Sequence, residues 1–315
     1  MKLIKHIVLA FAAFAALCGY SCSTTSGGAD AAMRHLADTL ENVAAQYPAR
    51  IGVALITDRG DTVTVNNTDT YPLMSVFKLH QAVAACHRLD SLGISLDSLV
   101  RINSTQLNPS TWSPMLKDHP EAVIELSVRD MMRYTLVSSD NNASNYMFDS
   151  IMGIASVDSF IATVIPRESF RLAVTEDAMW HDHDLCYDNH SSPLGVALLV
   201  NRLFSDSIVS PLSRGFICDA MSRCVTGNDR IAAPLAGKDG VTVAHKTGSG
   251  FRDTAGILAA HNDAAYITLP DGRHYTLVVL VRDFNGSERQ ASAAIARISA
   301  IVYEAVVSIY SGQKS

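Results

Sequence analysis

Strand-like runs stand at both ends of this chain and a long helical stretch separates them, a layout that few architectures satisfy. Near the start, Ile51 to Thr57 and Thr62 to Val65 are joined by Asp58-Arg59-Gly60-Asp61, which is hairpin chemistry. Near the end come Gly256 to Ala260, Ala265 to Leu269 and Tyr275 to Arg282, the last two linked by Pro270-Asp271-Gly272. Met33, Leu36, Leu40 and Val43 recur at three- and four-residue spacing and predict an amphipathic helix ahead of the first strand, and Ala291 to Ile309 predicts a closing helix. Between the ends, from about Leu73 to Cys224, periodic runs at Val76 to Leu89, Val128 to Tyr134, Asn142 to Met152 and Leu194 to Phe204 predict helices. The two ends are therefore expected to share one antiparallel sheet flanked by the N- and C-terminal helices, with an all-helical lobe inserted, an α+β fold in three layers. On this reading residues 29–71 and 225–315 form an α/β lobe and residues 72–224 the helical lobe, with a small-molecule site in the cleft between them.

Composition narrows the function classes. The 315 residues are 48% hydrophobic and 18% charged, enough to bury one large core or two lobes sharing a cleft. A formal net charge of -6 supplies no basic footprint for neutralising phosphates, so no nucleic-acid partner is expected. Lys2 and Lys5 precede the apolar run Ile7 to Leu17 and a small-residue region, the order of an export signal over residues 1–22, too short to span a bilayer comfortably. Cys22 follows Gly19-Tyr20-Ser21 and resembles a lipoprotein processing site imperfectly, so lipid anchoring there stays open; a polar linker, Ser23 to Gly28, comes next. Beyond the leader, Cys86, Cys186, Cys218 and Cys224 permit three complete pairings that sequence does not rank. Cys218 and Cys224, six apart in a helix-like run, would diverge, and no bridge is expected there.

Three short polar motifs carry the chemistry. Ser75-Val76-Phe77-Lys78 opens an apolar helix, which places Ser75 among exposed backbone N–H donors and returns Lys78 to its side one turn later. A serine is a useful nucleophile only with a base in hydrogen-bond reach, and a desolvated lysine can serve or relay to one. Ser139-Asp140-Asn141 lies at the junction of two predicted helices, and His245-Lys246-Thr247-Gly248-Ser249-Gly250 follows the alternation of Val241 and Val243 as an edge strand whose glycines admit a ligand to the backbone. Singly, each has a plainer reading: a helix cap for the first two and a solvated strand end for the third. The serine-x-x-lysine spacing even recurs by accident at Ser311 and Lys314.

Taken in order, serine-x-x-lysine, serine-aspartate-asparagine and lysine-threonine-glycine resemble the signature set of the penicillin-recognising serine enzymes, and the chain resembles the class A serine β-lactamases, in their cephalosporin-preferring branch, over nearly its whole mature length. The resemblance implies one catalytic domain over residues 30–311, a periplasmic and monomeric protein, and a β-lactam substrate opened without metal or organic cofactor. It implies Ser75, Lys78, Ser139 and Lys246 as catalytic residues, with Glu176 in Thr175-Glu176-Asp177 as the carboxylate that activates water against the acyl-enzyme. Asn141, Thr247 and Ser249 are implied to bind substrate, Arg230 in Thr226-Gly227-Asn228-Asp229-Arg230 to support its carboxylate, and Trp112 to wall the cleft mouth. The backbone N–H groups of Ser75 and Ser249 would form the oxyanion hole.

The departures from that family matter. Trp180 replaces the asparagine that usually helps to hold the hydrolytic water, and Val174 and Asn189 stand where an arginine-aspartate pair commonly braces the loop, so a differently braced, wider loop is expected. Three rival readings remain beside this one. His181-Asp182-His183-Asp184 invites a zinc hydrolase, but Leu185 stands where that pattern needs its aspartate. A D-alanyl-D-alanine carboxypeptidase or transpeptidase shares the serine mechanism, against which Glu176 argues. A β-lactam-sensing envelope lipoprotein would acylate and stop.

Overall fold

A computed structural model of the protein describes residues 26–311; the expected leader, 1–22, and Cys22 lie outside them. The first elements are α1 (Ser26–Ala44), β1 (Arg50–Thr57), β2 (Thr62–Val65), β3 (Tyr71–Pro72) and α2 (Phe77–Leu92). Then come β4 (Leu99–Asn103), α3 (Pro114–Asp118), β5 (Val123–Ser127), α4 (Val128–Val137), α5 (Asn141–Ser150) and α6 (Ile154–Ile161). β6 (Phe170–Arg171), α7 (Glu176–His181), β7 (His190–Ser191), α8 (Pro193–Ser205) and α9 (Pro211–Ser222) follow. The chain closes with β8 (Thr242–Ser249), β9 (Leu258–Thr268), β10 (His274–Phe284) and α10 (Glu288–Ser311). Helix α1 already starts at Ser26, so Gly27 and Gly28, expected in a linker, are helical: once the stripe of Leu36, Leu40 and Val43 is docked, extending a helix backward is cheap.

The five-stranded sheet has the order β2-β1-β10-β9-β8 and is antiparallel throughout. Its two central strands divide their side chains between two cores. Val53, Leu55, Val279 and Val281 pack against Leu40, Ile298 and Val302 of α1 and α10, whereas Ala54, Val278 and Leu280 face Val196, Leu199 and Val200 of α8. Strands covered on both faces read as unbroken apolar runs, and β1 and β10 do; the edge strand β2 keeps strict alternation. Gly52 permits the close approach of the next layer, since a Cβ there would lie 2.5 Å from Pro193 Cγ and 2.6 Å from the Tyr71 ring.

The insert is built around α2, which is buried on nearly every side, Lys78 and His80 included. Besides its helices it carries the two-stranded sheet β4-β5, and a three-stranded sheet β3-β7-β6 links its loop to the segment before α2. Two further expectations need correction: the insert, expected to be all-helical, carries the short strands just described, and the runs at Gly256 to Ala260 and Ala265 to Leu269 belong to one continuous strand, β9. His261, Asn262 and Asp263 break the apolar pattern between them, yet all three are buried and partnered. His261 Nε2 meets Ser292 Oγ at 2.8 Å, Asn262 donates to Pro72 O and accepts from Val281 N, and Asp263 faces His245. The four cysteines Cys86, Cys186, Cys218 and Cys224 are free thiols.

His80, fully buried in α2 beside the Phe170 ring, is pushed down to about 4 by burial, with only partial relief from the Val76 backbone. Its folded value lies below the ordinary imidazole value of 6.5, so the unfolded chain takes up this proton first and stability falls as pH drops from 6.5 toward 4. Denaturant midpoints followed through that window should lose about 3 kcal/mol to this residue, and His80→Leu should flatten that part of the acid limb.

Candidate active site

Ser75 sits in a single 3-10 turn, Met74–Val76, that runs directly into α2. Met74 holds a φ of +46°, a left-handed backbone uncommon for a side chain of its size. Such strain costs on the order of 1–3 kcal/mol and persists where surroundings over-determine it. Here they do, for Leu73 N donates to Asn189 O at 2.8 Å, and Leu73 O accepts from Asn262 Nδ2 at 3.1 Å.

Lys78, the second residue of α2 and fully buried, is the hub of the site. Its ammonium has three protons and five acceptor atoms within reach: Asn141 Oδ1 at 2.6 Å, Ser139 O at 2.8 Å, Glu176 Oε1 at 2.9 Å, Ser75 Oγ at 3.1 Å and Ser139 Oγ at 3.5 Å. The Ser75 hydroxyl in turn donates to Glu176 Oε1 at 3.1 Å. The nucleophile thus touches both members of a buried ammonium–carboxylate pair: Glu176 can take its proton directly, and Lys78 can take it once the ammonium has passed one of its own protons to Glu176.

The serine-aspartate-asparagine segment divides its labour. Val137 ends α4, Ser139 turns the chain with a φ of +60°, and Asp140 caps α5, accepting from Ala143 N at 2.8 Å and Met115 N at 2.7 Å. Asp140 is therefore the helix cap that the sequence allowed, and burial raises its carboxyl despite those donors. Ser139 and Asn141, on either side of it, reach the cleft; Asn141 Nδ2 also donates to Thr111 Oγ1 at 2.8 Å.

From β8, Lys246 donates to Ser139 Oγ and to Thr247 O, both at 2.9 Å. Full burial, aided by the nearby Lys78 ammonium, pushes Lys246 down to about 7, although Cys224 and Glu176 pull it upward. Gly248 is what lets this strand reach the nucleophile: a Cβ there would lie 2.5 Å from Leu73 O and 3.2 Å from Ser75 N. The backbones carrying the Ser75 and Ser249 amides consequently lie side by side, a geometry in which two N–H groups can meet one oxyanion. Arg230 is buried, its guanidinium donating to Ser249 Oγ at 2.6 Å, Asn262 O at 2.7 Å and Gly248 O at 3.1 Å, and burial lowers its pKa.

The loop carrying Glu176 keeps a brace at the expected places, with different chemistry. Asn189, fully buried, accepts from Ala173 N at 2.7 Å and Val174 N at 3.0 Å and donates to Val174 O at 2.7 Å, so one amide does what an ion pair does elsewhere. Thr175 caps α7 and sets Glu176 at its first position, nearly buried. Trp180 leaves that helix to line the cleft, edge-on to His183, whose ring stacks on Phe251 at 3.6 Å and 7°. Trp112 lines the cleft too, Nε1 donating to Ser138 O at 2.8 Å, with the ring largely exposed.

The resulting cavity of about 310 Å³ falls in the range for small-molecule sites. Ser75, Ser139, Asn141, Glu176, Arg230, Thr247, Ser249 and Trp112, all predicted, line it, and Lys78 and Lys246 lie buried behind its wall. Thr226, Phe251 and Thr111 were not singled out; Thr226 stood inside a quoted motif, while the other two carry no local signal. The histidine-aspartate run separates into unrelated uses: His181 faces Asp177 at the surface, Asp182 accepts from Asp184 N, and His183 joins the stack. Among the described residues no three His, Cys, Asp or Glu side chains gather as a metal would need.

Comparison with known proteins agrees with this geometry. The model of the β-lactamase enzyme family matches residues 35–306. A β-lactamase of Phocaeicola vulgatus is 54% identical, covering 85% of this chain and 84% of its own. The extended-spectrum β-lactamase PER-1 of Pseudomonas aeruginosa is 30% identical over 85% and 86%. The crystal structure of a representative class A β-lactamase from Bacteroides cellulosilyticus superposes with a TM-score of 0.83 at 31% identity, covering 88% of this chain and 99% of that one. On its motifs, its fold and these relatives together, the chain belongs to the class A β-lactamase family.

Proposed function

We propose that this protein hydrolyses the β-lactam amide of penicillins and cephalosporins through an acyl-enzyme on Ser75, with a preference for cephalosporins, and so confers resistance. The observation that carries the reading is that Ser75 Oγ lies 3.1 Å from both Lys78 Nζ and Glu176 Oε1. Lys78 alone would suit an acylating enzyme; the carboxylate beside it suits one that also deacylates. This favours a hydrolase over a transpeptidase or a sensor that stops at the adduct.

In the proposed sequence the ring carbonyl oxygen enters between the Ser75 and Ser249 N–H groups, which stabilise the charge that develops when Ser75 attacks. The serine proton leaves through Lys78 or through water on Glu176. Ser139, held by Lys246 at 2.9 Å, passes a proton to the departing ring nitrogen. Thr247, Ser249 and Arg230 hold the substrate carboxylate in the field of Lys246, and Asn141 bonds the acylamide. Glu176 then directs water at the ester, and Trp112 and Trp180, both in the cleft lining, flank the side chain. Residues 30–311 act as one catalytic domain and as a monomer, exported to the periplasm by residues 1–22, with Cys22 the attachment point if the leader is processed as that of a lipoprotein.

Intact-protein mass spectrometry with a chromogenic cephalosporin tests the reading. Many turnovers with a transient adduct on Ser75 are expected; a stoichiometric adduct that persists would sink it in favour of a penicillin-binding protein or sensor. Ser75→Ala should abolish turnover, and Glu176→Gln should accumulate the adduct while still forming it. Gly248→Ala forces a methyl group against Leu73 O; moving β8 from Ser75 should cost kcat/KM about 100-fold or more, the scale of a lost oxyanion donor. Near-parental kinetics in that variant would remove the oxyanion assignment.

A further inference from the structure

A second cavity adjoins the cleft and takes no part in the steps above. Helix α7 serves both. Glu176 and Trp180, four residues apart and so on one face, line the cleft, while Asp177 and His181, also four apart, line a neighbouring cavity of about 700 Å³, larger than the cleft itself. Helix α5 divides in the same way. Asn141, its first residue, lines the cleft, and Asn142, Asn145 and Asp149, at three- and four-residue spacing, line the second cavity. The segment Gln106 to Pro109 makes a third wall. Among the described residues Trp180 is the one that lines both spaces.

The walls are fastened to one another, and Trp180 is not. Asn142 Oδ1 accepts from Asn108 N at 3.0 Å and its Nδ2 donates to Asn108 O at 2.9 Å. Asn145 Oδ1 accepts from Asp177 N at 3.2 Å, and Asn108 Nδ2 donates to Asp177 Oδ1 at 3.4 Å. These bonds cross-link α5, α7 and the 106–109 segment, so the cavity is preformed. The indole of Trp180, 38% exposed, makes no hydrogen bond among the described residues, whereas that of Trp112 does. Its aromatic neighbour is His183, edge-on with ring centroids 6.4 Å apart. An exposed side chain held by so little changes rotamer readily.

The second cavity also has its own chemistry. Its lining holds side-chain amides, the carboxylates of Asp149 and Asp177, and no lysine or arginine. Asp177 Oδ2 lies 3.6 Å from His181 Nδ1, and Asp149 enters no ion pair or hydrogen bond among the described residues. Such a lining satisfies a group rich in N–H donors, a cationic one above all, and repels a carboxylate. Asp149 stands eight residues beyond Asn141 on α5, about 12 Å along the axis at roughly 1.5 Å a residue.

We propose that Trp180 is a specificity-determining gate: when its indole swings aside, the second cavity admits the far end of a long, amine-tipped acylamide side chain, which runs from Asn141 along α5 toward Asp149. This rests on the reading of Asn141 as the residue that bonds the acylamide. With the indole in place, short side chains are handled within the cleft alone.

The test uses cephalosporins that differ only in the acyl group: acetyl, or a chain of about 12 Å ending in an ammonium or in a carboxylate. The quantity read is kcat/KM for the ammonium-tipped compound relative to the acetyl compound, in the parent, Trp180→Ala, Asp149→Asn and Asp149→Lys. Trp180→Ala should raise this ratio, chiefly through KM. Asp149→Asn should lower it about tenfold, the scale of a lost hydrogen bond to a charged group, and Asp149→Lys should turn the preference toward the carboxylate-tipped compound. A merely structural role would change all three compounds alike, and ratios that stay in place in these variants overturn the proposal. Fluorescence gives a second readout that needs no turnover. The chain has two tryptophans, so in a Ser75→Ala, Trp112→Phe protein the emission reports Trp180 alone. It should respond to about tenfold less of the ammonium-tipped compound than of the carboxylate-tipped one, a preference that Asp149→Asn removes. That result supports the gate even if the unaltered protein proves inactive on β-lactams, which would overturn the functional reading alone; equal responses to the two compounds overturn this one.

Discussion

The burial of one ammonium organises the site. Lys78 has no exposure, and an amine there must find its partners from within the protein. It draws them from three stretches far apart in the chain: Ser75 a turn earlier, Ser139 and Asn141 from the α4–α5 junction, and Glu176 from the loop. Misplacing any of these segments would leave a buried charge under-satisfied, so the cost of a wrong arrangement falls on the whole fold as well as on the chemistry.

That requirement explains the unusual backbone near it. Two non-glycine residues, Met74 and Ser139, hold left-handed φ values on the segments that face Lys78. Each is pinned from outside, the first through Leu73 by Asn189 and Asn262, the second by the Asp140 cap that fastens α5 to Met115. The nucleophile hangs between two cores. Helix α2 belongs to the insert, β8 comes from the sheet, and Gly248 is the place where the two backbones meet without a side chain between them.

Much of this was legible in the sequence because its signals are local. Serine-x-x-lysine needs a single helical turn to bring its members together, and the strand and helix periods of β1, β2, β10, α2 and α10 stand out because each buries an apolar face. What escaped notice depends on partners distant in sequence. His261, Asn262 and Asp263 look like the end of a strand, and only their buried partners on α10, the segment before Ser75 and His245 make them the middle of one. The missing arginine and aspartate at the loop neck pointed to a different brace, and the amide of Asn189 supplies it through backbone groups that no side-chain pattern reveals.

The neck's chemistry also affects how the loop meets its surroundings. An ion pair weakens as its carboxylate protonates, and to the extent that it is exposed it weakens as dissolved salt accumulates around it. The bonds of Asn189 carry no net charge and lie wholly out of water. The amide bonds at that neck are therefore insulated from ionic strength and from acidification, and what responds to either is the exposed Arg171–Asp188 pair beside them and not the buried clasp itself.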